Sequence, residues 1–411
     1  MNRDRVIVIG GGAAGLMAAG QAAGCGRKVV LLEKMAQPGR KIGITGKGRC
    51  NLTNIAELSD FIQHFGTNGR FLHQAFSRFF APELIAFFEG IGLPLSTERG
   101  GRVFPTCGRA LEVRKVLLHW LERQRVEIRC RAAVDSLLIE GQRIRGVICE
   151  KKAVEGGKVI LATGGASYPR TGSTGDGYRL AAQAGHSIIP IRPALVPLET
   201  AGDLPKRMAG LSLKNVEAKL FIDGKRQSQA FGELSFTGYG LSGPLILTFS
   251  NLAVDSLRAG RKVVLALDLK PALTEAQLEL RLQRDFCGRA GEPAASVLRA
   301  LLPREMVQVC LEANSIDPKK PAGEISNQER RALRTWLKDF RLTVTGHRSF
   351  DEAIVTAGGV DLREIDPRTM ESRKTRGLFI AGELLDLHAD TGGYNLQAAF
   401  STGWLAGQDR A

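Results

Sequence analysis

The sequence predicts an α/β fold: a parallel-sheet domain built from both ends of the chain, interrupted by a small β domain and a helical subdomain. Three observations carry the prediction. A strand, a glycine turn, a helix and a second strand follow one another near the N-terminus. Apolar β-type segments return near the C-terminus. The stretch between changes first to hairpin patterning and then to helical patterning.

Val6-Ile7-Val8-Ile9 is a short apolar, β-branched run of the kind buried on both faces of a parallel sheet. It ends in Gly10-Gly11-Gly12. Ala13 to Ala23 has helix-forming composition and Val29 to Leu32 is a second buried-strand run, which completes a βαβ unit. Between Phe61 and Trp120 the pattern is helical. Phe76, Phe79 and Phe80 form one apolar cluster, and Leu84, Ile85, Phe87 and Phe88 form another behind Pro82, a residue suited to the first turn of a helix. Strand-like runs resume at Val126 to Ile128, Leu137 to Ile139, Ile144 to Cys149 and Val159 to Ala162. Pro190, Pro193 and Pro197 then predict a break in regular structure and a crossover into another domain.

Val216 to Ile222 alternates in part and runs into Asp223-Gly224, a hairpin signal, with Val263 to Leu269 as a further strand. Thr274 with Gln277, and Ser326 with Glu329, have capping-box spacing, so this part reads as helices. Ala353 to Ala357 and Leu378 to Ala381 bring the chain back to its first domain. The expected boundaries are 1–190 plus 345–411 for the parallel-sheet domain, about 191–270 plus 341–350 for the small β domain, and 271–340 for the helical subdomain.

Composition bounds the function. With 44% hydrophobic and 24% charged residues, the 411-residue chain can bury a sizeable core. No apolar run reaches the length of a membrane span and the N-terminal stretch does not read as a signal peptide, so no membrane association and a cytoplasmic location are expected. Seven scattered cysteines without a CxxC pair point to reduced thiols rather than disulfides, and no metal is expected. The net charge of +15 is more than a small-metabolite enzyme needs and makes a polyanionic partner worth proposing. Between Arg109 and Arg131 seven basic residues face three acidic ones, which reads either as a solvated helix face or as a nucleic-acid contact.

Gly10-x-Gly12-x-x-Gly15 directly follows a strand and opens a helix, and Glu33 closes the next strand. Each residue has a mechanical part in a Rossmann-type dinucleotide site: Gly10 makes the tight turn, Gly12 admits the pyrophosphate, Gly15 lets helix and strand pack, and Glu33 takes the adenosine ribose hydroxyls. Ala13 and Ala14 in the helix's first turn, and Lys34 after the acid, complete this set of expected cofactor contacts. The fingerprint alone does not choose between FAD and NAD. Ala162-Thr163-Gly164-Gly165 and Leu378-Phe-Ile-Ala-Gly382-Glu383 do, because their order and distance match the later FAD-contacting segments of two-dinucleotide-binding flavoproteins. Thr163, Gly164, Gly382 and Glu383 are therefore expected at FAD. The helix after Gly392-Gly393, with Asn395 and Leu396 near its start, is placed to aim its N-terminus at the flavin's N1–C2=O edge.

Pro38-Gly-Arg-Lys-Ile-Gly-Ile-Thr-Gly-Lys-Gly-Arg-Cys-Asn-Leu-Thr-Asn54 and Gly392-Gly-Tyr-Asn-Leu-Gln-Ala-Ala-Phe-Ser-Thr-Gly403 resemble the signatures of the BaiN/RdsA-like flavoprotein family. So do Gly101-Arg-Val-Phe-Pro105, Thr171-Gly-Ser-Thr-Gly-Asp-Gly177, Leu241-Ser-Gly-Pro244 and Ala357-Gly-Gly-Val-Asp361, and the likeness runs over nearly the whole chain. The resemblance implies an FAD-binding domain interrupted by barrel-like and helical parts. For activity it implies flavin hydride chemistry: reduction of a uridine in large-subunit ribosomal RNA, reduction of bile-acid double bonds, or oxidation of aminoacetone. It adds Arg40, Lys41, Gly48, Arg49, Cys50, Asn51 and Val134 to the expected FAD contacts. Lys41, Lys47 and Arg49 suit phosphates of FAD or of RNA, or are plain loop charge.

The basic excess favours ribosomal RNA or its precursor as partner, with flavin N5 passing hydride to uracil C6 and an acid protonating C5. Cys50, His388 and Tyr394 are rival candidates for that acid. His64, His73, His119, His186 and His347 show no ligand spacing and read as structural or surface residues. No second glycine fingerprint marks an NAD(P)H domain, so NAD(P)H is expected only as a transient donor. A small-molecule flavoenzyme and a ribosome-binding protein with structural flavin are the competing readings.

Overall fold

Val6-Ile7-Val8-Ile9 lies within the strand Arg5–Ile9, the centre of a five-stranded parallel sheet in the computed structural model, which describes residues 4–408. The strand order is Leu378–Ile380, Lys158–Leu161, Arg5–Ile9, Lys28–Glu33, Glu127–Cys130. Four of these strands are apolar almost throughout, as burial of both sides requires, whereas the edge strand Glu127–Cys130 is exposed or half-buried. Each fully buried aliphatic or aromatic side chain contributes on the order of 1.5–3 kcal/mol.

The helix Ala13–Gly24 follows the glycine turn and is buried along most of its length. Small residues let two neighbours close on it. A Cβ at Gly403, in the last helix Tyr394–Gly407, would lie 2.3 Å from the Ala14 carbonyl oxygen, and one at Gly20 would strike the Trp120 ring at 2.2 Å. Three antiparallel strands, Val134–Glu140, Arg143–Cys149 and Lys152–Glu155, form a separate sheet. All seven cysteines are free.

The proline series departs from expectation. Pro190 and Pro193 do not break the chain but lie in a strand, Ile188–Ala194, paired antiparallel with Val355–Val360. The pair is a two-stranded sheet whose register shifts between Ile189 and Arg192. Proline lacks the N–H a central strand needs, but an edge strand with a bulge at Pro190 does not need it. The seven basic residues of 109–131 are drawn partly into local pairing: Arg109 and Lys115 with Glu112, Arg129 with Glu127, and Arg114 with the Gln37 side chain.

These elements make one compact unit, residues up to Ala194 with those from Phe350 onward; Leu195–Ser349 makes the other. The second unit holds a closed six-stranded barrel in the order Leu198–Thr200, Gly240–Ser242, Lys225–Phe236, Ser212–Ile222, Val263–Asp268, Phe340–His347. Asp223-Gly224 turns its longest hairpin. The helix Pro244–Arg258 buries Leu245, Ile246, Phe249, Ala253 and Val254. Glu275–Gly288 and Asn327–Lys338 start at the two capping boxes, with Thr274 and Ser326 accepting from the N–H three residues on. These helices cluster with the barrel rather than apart from it: Leu269 N donates to Leu337 O at 2.9 Å, and Lys338 pairs with Asp268 at 2.5 Å. Among the described residues no helix is long and apolar enough to cross a membrane, and no group of three or more His, Cys, Asp or Glu is placed to hold a metal.

Candidate active site

The three fingerprint glycines have three different surroundings. Gly10 takes φ +98°, and a Cβ there would meet the Ala162 carbonyl oxygen at 2.6 Å. At Gly15 a Cβ would lie 1.8 Å from the Gly10 carbonyl oxygen, so this position seats the helix on the strand. At Gly12 a Cβ would meet nothing within 4 Å. The space it would enter lies at the start of the helix, where Gly12 supplies no side-chain cap and the N–H groups of Ala13, Ala14 and Gly15 have no intrahelical acceptor. Glu33, 8% exposed, accepts from Gly11 N through Oε2 and from Met35 N through Oε1, both at 2.7 Å. That holds its carboxylate beside the turn. Lys34 reaches Thr174 and, at 2.5 Å, Asp176.

Gly382 N donates to Thr402 Oγ1 at 3.0 Å, and a Cβ at Gly382 would touch the Ala14 side chain at 2.8 Å, so the Gly382-Glu383 corner stands at the first helix's N-terminus. Thr163 and Gly164 follow the strand Lys158–Leu161 and border the same turn. Buried Thr163 Oγ1, Asn51 Oδ1 and Tyr178 OH have no hydrogen-bond partner. Open space at Gly12, bare helix N–H groups and orphaned buried oxygens are what a dinucleotide would fill and satisfy, so the residues present fit FAD.

Glu383 ties distant segments together. Its carboxylate takes Lys41 Nζ at 2.8 Å, Ser167 Oγ at 2.9 Å and Thr356 N at 2.8 Å. Burial pushes this carboxyl up, but the Lys41 ammonium and the two hydrogen bonds outweigh it and hold it below its ordinary value of 4.5. A depressed carboxylate contributes stability that is complete above that value and lost as pH falls through the folded one. The Lys41 and Glu383 side chains are 25% and 20% exposed, so the pair lies between surface and buried cases. Lys41→Met is expected to destabilise flavin-free protein by about 1–3 kcal/mol at pH 7. The deficit should shrink at pH 3, and thermal melts at the two pH values check this; an equal deficit at both would show that the charge is not what Lys41 contributes.

The remaining sequence-predicted residues have surroundings of their own. Arg40 opens the short helix Arg40–Ile44, and Gly48 and Arg49 lie in the following turn, with Arg49 paired to Glu98 and 4.4 Å over the Phe104 ring. Val134 begins its strand, with its carbonyl facing Arg179. Asn395 folds back on Ala389, accepting from its N at 2.8 Å and donating to its O at 2.9 Å, and Leu396 packs against the core. Cys50 is fully buried, and burial pushes its thiol up to about 12. Burial, then the Arg192 guanidinium, push His388 down to about 4, which leaves it neutral at pH 7. Tyr394 follows Gly392-Gly393 at the start of the last helix, and burial with two nearby aspartates raises its phenol.

The structure adds a group that sequence spacing missed. His64 stacks on Tyr394 with ring centroids 3.8 Å apart, and its Nδ1 lies 3.3 Å from Asp390 Oδ2. Phe61 packs edge-on against Tyr394 from below at 4.7 Å. Asn68 donates to both the carbonyl and the carboxylate of Asp386 on the neighbouring loop. In the sequence His64 reads only as a structural or surface histidine without ligand spacing.

A family model described as HI0933-like protein Rossmann domain matches residues 4–409. This chain belongs to that family. HI0933-like proteins of this kind are FAD-dependent oxidoreductases, and so is this one. The chain is 34% identical over 414 residues to the 3-dehydro-bile acid delta(4,6)-reductase of Clostridium scindens, covering 99% of each protein. It is 31% identical over 416 residues to the ribosomal RNA dihydrouridine synthase of Escherichia coli, covering 100% of this chain and 98% of the relative. Among solved structures, an open flavocytochrome c3 fumarate reductase matches with TM-score 0.52 at 16% identity over 99% of this chain and 78% of that one. The 3-ketosteroid-delta4-(5alpha)-dehydrogenase of Rhodococcus jostii RHA1 matches with TM-score 0.50 at 16% identity, covering 99% and 97%. At that identity these likenesses show the fold alone.

Proposed function

We propose that this HI0933-like protein reduces the C5=C6 double bond of a uridine in large-subunit ribosomal RNA, giving dihydrouridine, in the cytoplasm and with NAD(P)H as transient electron donor. The observation that carries the choice of substrate is charge. Lysine and arginine number 57 against 42 acidic residues, and RNA is a polyanion whereas a bile acid is a small amphipath. The Escherichia coli relative named for this reaction spans the same length. A second reading, reduction of a conjugated double bond in a steroid-like molecule, is favoured by the 34% identity to the bile-acid reductase.

Bound at the glycine turn, FAD would supply the hydride. The first helix's bare N–H groups would hold its pyrophosphate and Glu33 its ribose, and the N-terminus of Tyr394–Gly407 would offer its partial positive charge to the flavin. Adding two hydrogens across the double bond needs a proton at C5 as well as hydride at C6. Cys50 holds its proton too tightly, His388 has none to spare at neutral pH, and the Tyr394 phenol is raised. His64, oriented by Asp390 and braced by the Tyr394 ring, is the group we assign to deliver it.

Nucleoside mass spectrometry of 23S ribosomal RNA from a strain lacking the protein and from the complemented strain tests the reading. Dihydrouridine is expected to disappear and return. An unchanged level would overturn it, and anaerobic reoxidation of the reduced protein by steroid enones would then test the second reading.

A further inference from the structure

The barrel's longest hairpin pairs Phe231 with Glu217, Gln229 with Lys219 and Arg226 with Phe221. Along Ser212–Ile222 the side chains of Val216, Ala218, Leu220 and Ile222 are buried, so Glu217, Lys219 and Phe221 stand on the outer wall. Phe231, beside Glu217, is 61% exposed, while every other phenylalanine of the eighteen is buried or half-buried. Arg341 on the strand Phe340–His347 lies 5.2 Å over the Phe221 ring.

Cations gather at the turn of the same hairpin. Asp223 N donates to Lys262 O at 2.9 Å, Lys262 N returns a bond to Asp223 Oδ1 at 3.0 Å, and Arg261 Nε meets Asp223 Oδ2 at 2.8 Å. Lys225, Arg226, Arg261 and Lys262 are thus exposed around a single acid. From Phe231 to Lys225 the strand spans about 20 Å at roughly 3.3 Å per residue. An exposed aromatic ring at one end and a cationic turn at the other match what unpaired RNA offers: bases with open faces and a row of phosphates. The basic run 109–131 is a poorer match, because Glu112 and Glu127 engage several of its cations and its one aromatic, Trp120, is buried.

We infer that this hairpin is a docking surface for unpaired RNA, with Phe231 stacking on a base and Lys225, Arg226 and Lys262 holding phosphates. The inference rests on the RNA reading above and adds a location for the polyanion. The test uses flavin-loaded full-length protein and a fluorescein-labelled 20-nucleotide oligouridylate, with anisotropy read at several salt concentrations between 50 and 200 mM. Phe231→Ala is expected to weaken binding by about fivefold or more. The triple variant Lys225→Ala, Arg226→Ala, Lys262→Ala should lower the slope of log affinity against log salt by about 2, at roughly 0.7 per phosphate contact. Flavin content and melting temperature report that both variants are folded.

Wild-type affinity and slope in both variants, or no binding by the wild type, would overturn the surface. So would loss of binding to phosphatidylglycerol vesicles with RNA binding intact, which would assign the hairpin to a membrane. Dihydrouridine in 23S RNA from strains carrying each variant separates the two proposals. Normal modification with normal binding removes the surface and leaves the reading. Binding that depends on the hairpin, without dihydrouridine in any strain, keeps the surface and removes the uridine.

Discussion

Alanine at Gly15 is expected to strip the protein of FAD and lower its thermal midpoint, whereas alanine at Gly12 should strip the flavin and leave the fold intact. At Gly15 the added Cβ would sit 1.8 Å from the Gly10 carbonyl oxygen, a backbone atom with no rotamer to escape into. Helix and strand must separate, at a cost of about 1–3 kcal/mol for overpacking of this kind and more where backbone must move. The same movement carries the N–H groups of Ala13 to Gly15 away from the turn. At Gly12 nothing of the protein lies within 4 Å of the new atom, so flavin-free protein should melt as the wild type does. The methyl group would instead stand where a pyrophosphate approaches. Charge-assisted hydrogen bonds are each worth about 1.5–3 kcal/mol, so losing even one weakens FAD by about tenfold or more. Fluorescence titration with FAD and calorimetry of flavin-free protein check the pair. Wild-type FAD affinity in Gly12→Ala would mean that the pyrophosphate does not lie at this turn.

Removing His64 is the second large effect expected. If this imidazole protonates the substrate carbon, His64→Ala should slow double-bond reduction by about 10²-fold or more, the usual contribution of a positioned acid. Reduction of the flavin by NAD(P)H, the donor proposed above, should be unaffected, since that step needs no proton from this ring. Asp390→Asn leaves the imidazole in place but without its anchoring carboxylate at 3.3 Å, so a smaller loss, about tenfold, is expected. Single-turnover reoxidation of pre-reduced protein reads the step directly, and added imidazole should restore part of the rate in the alanine variant. A His64→Ala rate within about threefold of wild type would return the proton donor to Tyr394 or to solvent.

The fingerprint glycines and His64 differ in how far the sequence discloses them. Gly10, Gly12 and Gly15 act within one turn, and each glycine answers a local need that spacing reveals, so their places are legible in the sequence itself. The barrel hairpin and both capping boxes are equally local, and they fold where their residues say. His64 and Asp390 are 326 residues apart, and Lys41 and Glu383 are 342. What joins them is a ring stack and a carboxylate reaching across the fold, and no periodicity encodes either. The prolines at 190 and 193 misled for another reason. A missing N–H is fatal only to a strand with neighbours on both sides, and sequence alone does not say that this strand has one.

The pairing of Leu378–Ile380 with Lys158–Leu161, and of the last helix with the first, also bears on how the protein is made. The glycine turn emerges from the ribosome early, but the wall formed by Gly382 and the seat formed by Gly403 emerge some 370 residues later. At about 5–20 residues per second that interval is roughly 20–75 s. During it the nascent chain carries half of a nucleotide site, with the face of its first helix that meets the last helix still bare, while Leu195–Ser349 is a continuous stretch. The nucleotide site, with the corner at Gly382-Glu383 and the seat at Gly403, is therefore complete only once synthesis has reached the final helix.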